Sequence, residues 1–144
     1  MKLPKKSKLF KNVVRSKDDR GSIKSIVDYK ISNVSIITSN SNSIRSNHYH
    51  IKDFHFMYVL EGKIDYFFKG IDDDNENMSY LEVNIGDTIF TPKMEIHCTF
   101  FPIKTKLIVS SYYPRDQKTY EEDTVRVNFI DETNISGYLK KYGK

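Results

Sequence analysis

From Asn33 to Phe129 the chain is a succession of short runs rich in β-branched and aromatic residues, each closed by turn formers. NVSIITS (33–39) reads as a buried strand, and SNSNS (39–43) as a polar loop, not a linker between domains. KIDYFFKG (63–70) puts Ile64, Tyr66 and Phe68 on one face. IDDDNEN (71–77) is a charged hairpin tip that lacks the full ligand pattern of a calcium loop. Met78–Asn84 returns as a strand, and Gly86-Asp87 turns the chain into TIFTP, which Pro92 ends. His97–Phe101, Lys104–Tyr113 and a last strand around Thr124–Phe129 follow, with a short helix expected at 135–142. Ten or so short strands with little helix predict a β-barrel or jelly roll.

Two of these runs hold all four histidines. SIRSNHYHIKDFHFMYVLEG (43–62) carries His48, His50 and His55, and GDTIFTPKMEIHCTFF (86–101) carries His97. His48 and His50 are two apart, so on an extended strand they leave the same face about 7 Å apart. Residues 51–54 read as a turn, after which His55 opens a strand with Met57 and Val59 on its own face. Such a hairpin returns His55 to the first pair, while His97 arrives from a distant strand. Neutral imidazole is a common ligand of Zn, Fe, Ni and Cu ions. A lone histidine in a strand is more often a hydrogen-bonded packing residue, and HxH by itself is a weak signal. The metal reading rests on all four taken together.

The spacing H-x-H-x4-H-x6-G, from His48 to Gly62, resembles the first cupin motif. Gly86, Pro92 and His97, spaced G-x5-P-x4-H, resemble the second. The chain departs from the family where His55 replaces a customary Glu and Met94 a frequent Gly. The first change keeps the ligand count but leaves the metal preference open; the second alters a turn. The resemblance implies an all-β cupin, a double-stranded β-helix or jelly-roll barrel, as a single domain with little helix. Residues 1–20 would form a basic arm and first strand, 21–130 the barrel, and 131–144 a polar tail. It also implies one divalent transition metal (Zn, Fe, Ni or Mn) on His48, His50, His55 and His97.

DDRGSI (18–23), RSNHYH (45–50) and YEEDTVRV (120–127) are similar to stretches of small cupins of nucleotide-sugar and polysaccharide biosynthesis. H-Y-H also occurs in the metal-binding cupin domain of capsular sugar reductases, which epimerises a 4-keto sugar. By that resemblance the chain is expected to act on a nucleotide-linked keto sugar as an epimerase or ketoisomerase. Arg45 and Asn47, just before the histidine pair, are substrate-binding candidates, with Arg115 and Arg126 for a diphosphate. Tyr58 and Tyr66 offer hydroxyls that could protonate an enolate, and Glu95 a carboxylate beside His97. The bland readings are a surface arginine in a salt bridge, packing tyrosines and a glutamate on a turn. Two other functions fit the motifs: an Fe(II)-dependent 3-His or 4-His cupin dioxygenase, and a non-catalytic cupin binding a small ligand or a metal.

The charge balance narrows the partners. Lys and Arg number 23 against 19 Asp and Glu, a net +4. That suits an anionic small molecule, possibly a nucleotide sugar, and falls short of a nucleic-acid surface. Lys2, Lys5, Lys6 and Lys8 read as a solvated leader ahead of a short strand around Phe10–Val14. The single cysteine, Cys98, excludes an intramolecular disulfide and fits a reducing compartment. No apolar run approaches the ~20 residues that span a bilayer, and the basic N-terminus lacks an apolar h-region. A cytoplasmic protein with no membrane partner is expected. The 13% aromatic content, in runs such as FHFMY and YFF, exceeds what one sandwich core needs, so a homodimer is the default.

Overall fold

A computed structural model describes residues 2–11 and 14–144. In chain order the described strands are β1 (Lys8–Phe10), β2 (Ser16–Asp18), β3 (Gly21–Ile23), β4 (Asn33–Ser39), β5 (Ser43–His50) and β6 (His55–Glu61). They continue with β7 (Lys63–Gly70), β8 (Ser79–Asn84), β9 (Thr88–Thr91), β10 (Glu95–Phe101) and β11 (Thr105–Ser111). Helix α1 (Gln117–Asp123), strand β12 (Thr124–Arg126) and helix α2 (Ile135–Lys141) close the chain. The strand expected around Phe10–Val14 overlaps β1 at Phe10; residues 12 and 13 lie outside the described residues. Among the described residues no helix is long and apolar enough to cross a membrane.

Two five-stranded antiparallel sheets, β1-β9-β6-β11-β4 and β12-β5-β10-β7-β8, face each other, with β2 and β3 as a separate hairpin. Period-2 alternation decides what lies between them. Met57 and Val59 from β6, Ile64 and Tyr66 from β7, Phe101 from β10 and Leu107 and Val109 from β11 make the inner core. The aromatic excess goes elsewhere. Phe67, Cys98 and Phe100 lie on the outer face of the second sheet, covered by Phe129, Ile130 and Ile135 from the C-terminal segment. Phe54, Phe56 and Phe90 lie outside the first sheet against Leu3, Phe10, Val27 and Ile31. Both chain ends are therefore part of the packing. Burial pushes the Cys98 thiol up to about 12, so it packs as a small hydrophobe.

Gly62 joins β6 to β7 at φ 89°, and a Cβ there would collide with Thr105 Oγ1 and the Lys104 carbonyl. Only glycine fits both demands. Helix α1 is not anticipated by the β-rich reading of Tyr120–Ile130. It starts because Asp116 caps it, accepting from the Thr119 amide at 3.1 Å. Residues 127–130 then leave the ladder and are held by Asn47.

Candidate metal and reaction centre

Strands β5 and β10 pair with His97 opposite His48. The His48 ring lies 4.7 Å from both the His50 and the His97 rings. His48, His50 and His97 offer ligand nitrogens within 4.8 Å of one another, and all three are buried. His55, from the start of β6, stands just outside that group, with its ring 5.3 Å from His97 and 5.7 Å from His50. The two distant stretches thus meet in the interior of the fold.

Desolvation is the main force on these imidazoles. It lowers His48 to about 2, helped by His97, His50 and Arg115, and His50 to about 3, helped by His97 and Arg115. His97 falls to about 4, with its bond to the Glu95 carbonyl opposing the shift, and His55 lies well below its ordinary value. All four are neutral at pH 7, the state in which imidazole binds a metal. His97 Nδ1 faces the Glu95 carbonyl at 3.2 Å. His50 Nδ1 faces Thr124 Oγ1 at 3.4 Å and Asp123 Oδ2 at 3.5 Å. Each is thereby oriented with its other nitrogen toward the interior. There His50 Nε2, His97 Nε2 and His55 Nδ1 are buried without a hydrogen-bond partner. Unpartnered nitrogens on neutral, buried imidazoles, two of them in the close group with His48, fit a transition metal of the Zn, Fe or Ni kind.

A second carboxylate-rich group, His50, Asp53 and Asp123, is equally compact, but its oxygens are already engaged. Asp123 accepts from the Lys52 and Asp53 amides at 2.7 and 3.1 Å. Asp53 accepts from the Tyr113 amide at 2.8 Å and from Arg115 Nη2 at 3.2 Å. This pair clamps the loop between β5 and β6 to the segment carrying Arg115 and α1. Arg115, with its Nε buried and unpartnered, lies over the Tyr120 ring at 5.3 Å. Tyr120 in turn packs against His48 and His50.

Tyr66 and Glu95 are joined through Ser7 beside His97. The Tyr66 ring stacks on His97 at 6.2 Å, and its hydroxyl bonds Ser7 Oγ at 2.6 Å and Thr91 Oγ1 at 2.7 Å. Ser7 donates its amide to Glu95 Oε1 at 3.1 Å and its hydroxyl to the same oxygen. Burial raises the Tyr66 hydroxyl and the Glu95 carboxyl above their ordinary values.

Four other expected residues face elsewhere. Tyr58 lies on the opposite face of β6 from His55 and lines a separate 290 Å³ cavity with Phe10, Phe56 and Lys24, because side chains alternate along the strand. Arg45 bonds Ser39 Oγ at 2.8 Å and the Thr38 carbonyl at 3.0 Å, toward the start of β5. Asn47 pins Ile130 through its carbonyl and amide. Ser46 and Asn47 have φ of 76° and 56°, and the β5–β10 register shifts there, so simple parity fails. Arg126 pairs with Glu121 on the surface. Sequence reasoning missed Ser7, Asp53, Tyr120 and Asp123. Asp53 and Asp123 gave a faint signal as acids flanking histidine or helix positions; Ser7, in a lysine-rich leader, gave none.

No protein-family model matches the chain, and no curated protein matches it. Solved structures do. A substituted QdtA 3,4-ketoisomerase from Thermoanaerobacterium thermosaccharolyticum, in complex with TDP, superposes with a TM-score of 0.67 at 21% identity over 99% of this chain and 100% of its own. The fold is that of a cupin. WlaRA, a TDP-fucose-3,4-ketoisomerase from Campylobacter jejuni, shares the cupin architecture with a TM-score of 0.63 at 15% identity, over 83% and 87% of the two chains. CapF, a capsular polysaccharide assembling protein from Staphylococcus aureus, gives 0.60 at 22% identity over 80% of this chain and 32% of its own.

Proposed function

We propose that this cupin holds one divalent transition metal on His48, His50, His97 and His55 and acts on a nucleotide-linked keto sugar of polysaccharide biosynthesis, as an epimerase or ketoisomerase. The carrying observation is the group of His48, His50 and His97, buried with ligand nitrogens within 4.8 Å of one another, two of which, on His50 and His97, keep a buried ring nitrogen with no partner. The fold shared with 3,4-ketoisomerases that bind TDP supports the substrate class.

Both reactions remove a proton from a carbon next to a carbonyl and return one, to the opposite face of that carbon or to its neighbour. A bound ion would polarise the carbonyl oxygen and stabilise the negative charge that develops on it. Glu95 is the candidate base: burial raises its affinity for a proton, and Ser7 holds one of its oxygens in place. Tyr66 is kept protonated by its raised pKa and is the candidate proton donor, oriented by Ser7 and Thr91. Arg115 brings a cation beside the histidines for an anionic oxygen of substrate or intermediate. Tyr58, Arg45 and Asn47 take no part in this scheme.

A homodimer belongs to the same proposal. Edge strand β4 exposes Val34 and Ile36, at 63% and 69%, beside an unpaired backbone edge that a second copy can extend.

The test is hydrogen exchange. Incubated in deuterated water with TDP-4-keto-6-deoxyglucose, the sugar bound in one QdtA structure, the protein is expected to incorporate deuterium beside the ketone. The Glu95→Gln variant is expected to lose about 10²–10⁴-fold of that rate. Exchange that is absent from the wild type, or unchanged in the variant, contradicts the scheme.

A further inference from the structure

Strand β5 does two things that one unbroken strand cannot. Ile44 and Tyr49, five residues apart, both pack into the cluster on the outer face of the second sheet. His48 and His50, from the same strand, are buried with His97 in the interior. Under strict alternation residues 44, 48 and 50 share one face and residue 49 takes the other. Side-chain parity therefore inverts between Ile44 and His48. The inversion falls at Asn47. Ser46 pairs with Cys98 and His48 with His97, which leaves Asn47 as an extra residue with no partner on β10. That insertion is a β-bulge, a device that re-aims the side chains following it. Without the extra residue, His48 and His50 would share the outer face with Ile44.

The bulge has a cost and a support. Ser46 and Asn47 both lie in the left-handed region, at φ 76° and 56°, and two such non-glycine residues in a row persist only where their surroundings hold them. The C-terminal segment does so. Val127 donates its amide to the Asn47 carbonyl at 2.9 Å. The Asn47 side chain donates through Nδ2 to the Ile130 carbonyl at 2.7 Å and accepts the Ile130 amide through Oδ1 at 3.0 Å. Ile130 and its neighbour Phe129 are buried in the outer cluster, so this clasp is anchored in packed side chains. Asparagine meets both requirements: it tolerates the left-handed conformation, and its amide offers a donor and an acceptor side by side.

We infer that Asn47 is a positioning residue of the metal centre: clasped by Ile130, it holds the bulge that turns His48 and His50 inward, so the C-terminal segment sets the aim of two ligands it does not touch through side chains of its own. The inference rests on the reading of the histidines as a metal centre. Asn47 itself meets no reacting group; it acts through His48, the next residue, whose ladder partner on the other side is Arg126.

Titration of the metal-free protein with cobalt(II), whose visible absorption reports ligand number and geometry, tests it in three variants. Asn47→Gly keeps the backbone conformation and loses the clasp; it is expected to bind cobalt about tenfold more weakly. Asn47→Val loses both, since a β-branched residue does not take φ 56°; it is expected to bind about 100-fold more weakly, with an altered spectrum. Tyr142→Phe loosens the same C-terminal segment elsewhere, by removing the bond from its hydroxyl to the Met78 carbonyl at 3.0 Å, and is expected to match wild type in affinity and spectrum. A purely structural Asn47 would lower the denaturation midpoint and leave cobalt affinity and spectrum as they are, and that result overturns the inference. A second measurement needs no metal. Acylation of neutral imidazoles by diethylpyrocarbonate, mapped by mass spectrometry, should find His48 protected in folded, metal-free wild type and reactive in folded Asn47→Val. Equal protection in both overturns the inference. A wild type that takes up no cobalt removes the metal reading, and the acylation result alone then decides whether Asn47 aims the histidines.

Discussion

Met94 occupies the left-handed region at φ 59°, with its amide bonded to the His50 carbonyl at 2.7 Å. An L-residue in that conformation costs roughly 1–2 kcal/mol, while glycine gives back roughly 0.5–1 kcal/mol in chain entropy. Met94→Gly is therefore expected to stabilise the protein by about 0.5–1 kcal/mol, read as a thermal midpoint about 2–4 °C higher. An unchanged or lower midpoint would show that the methionine side chain compensates. The cupin pattern has glycine at this turn, and the backbone now gives the physical reason. The histidines were legible in the sequence because period-2 spacing and two turn glycines constrain them strongly. Ser7 was not, since no local pattern links a residue of the N-terminal arm to Tyr66 and Glu95 far along the chain. That Asn47 bonds Ile130 was not legible, because Ser46 and Asn47, two non-glycine residues at positive φ, break the alternation of the strand.

The loop between β5 and β6 is held by a neighbouring element more than by its own residues. Asp123, the last residue of α1, takes two amides of that loop and stands beside His50. Removing the carboxylate in Asp123→Ala strands a buried amide at Asp53 and a second one at Lys52. Each such loss costs about 1–3 kcal/mol, so denaturation should register about 2–4 kcal/mol of destabilisation. Because His50 loses an orienting group, metal affinity should fall about 10–100-fold in a competition titration. Wild-type metal affinity in this variant would mean that the carboxylate holds the loop and nothing more. Helix α1 escaped the sequence reading because Thr124, Val125 and Val127 pull the local pattern toward strand, and a one-residue cap at Asp116 is a small signal against it. Strands β4, β7 and β11 were read with nearly their observed limits, since their flanking turns are explicit.

At the scale of the whole molecule, burial of the histidines links folding to protons. His48, His50 and His97 have folded values of about 2, 3 and 4, below the ordinary 6.5 they regain on unfolding. Above pH 6.5 both states are neutral and contribute no slope. As pH falls through 6.5 the unfolded chain takes up protons that the folded one refuses, so stability falls, by up to about 1.4 kcal/mol per pH unit for each histidine. Metal-free protein is expected to keep a constant denaturation midpoint from pH 8 to 7 and to lose stability steadily toward pH 5; a flat profile would deny the burial. The proposed dimer gives a second whole-molecule prediction. Ile36→Lys, on the exposed face of β4, should convert a dimer to a monomer in sedimentation equilibrium, and a monomeric wild type would contradict the pairing. The sequence argued for dimerisation from excess aromatic surface, yet much of that surface is covered by the chain's own ends, through Leu3, Phe10, Phe129 and Ile135.

Everything functional depends on the convergence of imidazoles from β5, β6 and β10 on one ion. X-ray absorption at the edge of the metal carried by the purified protein tests this most directly. The predicted spectrum shows three or four imidazole nitrogens at about 2.0–2.1 Å, with at least one lost in His97→Ala. A first shell made only of oxygens, or a protein that takes up no divalent transition metal, would contradict the account.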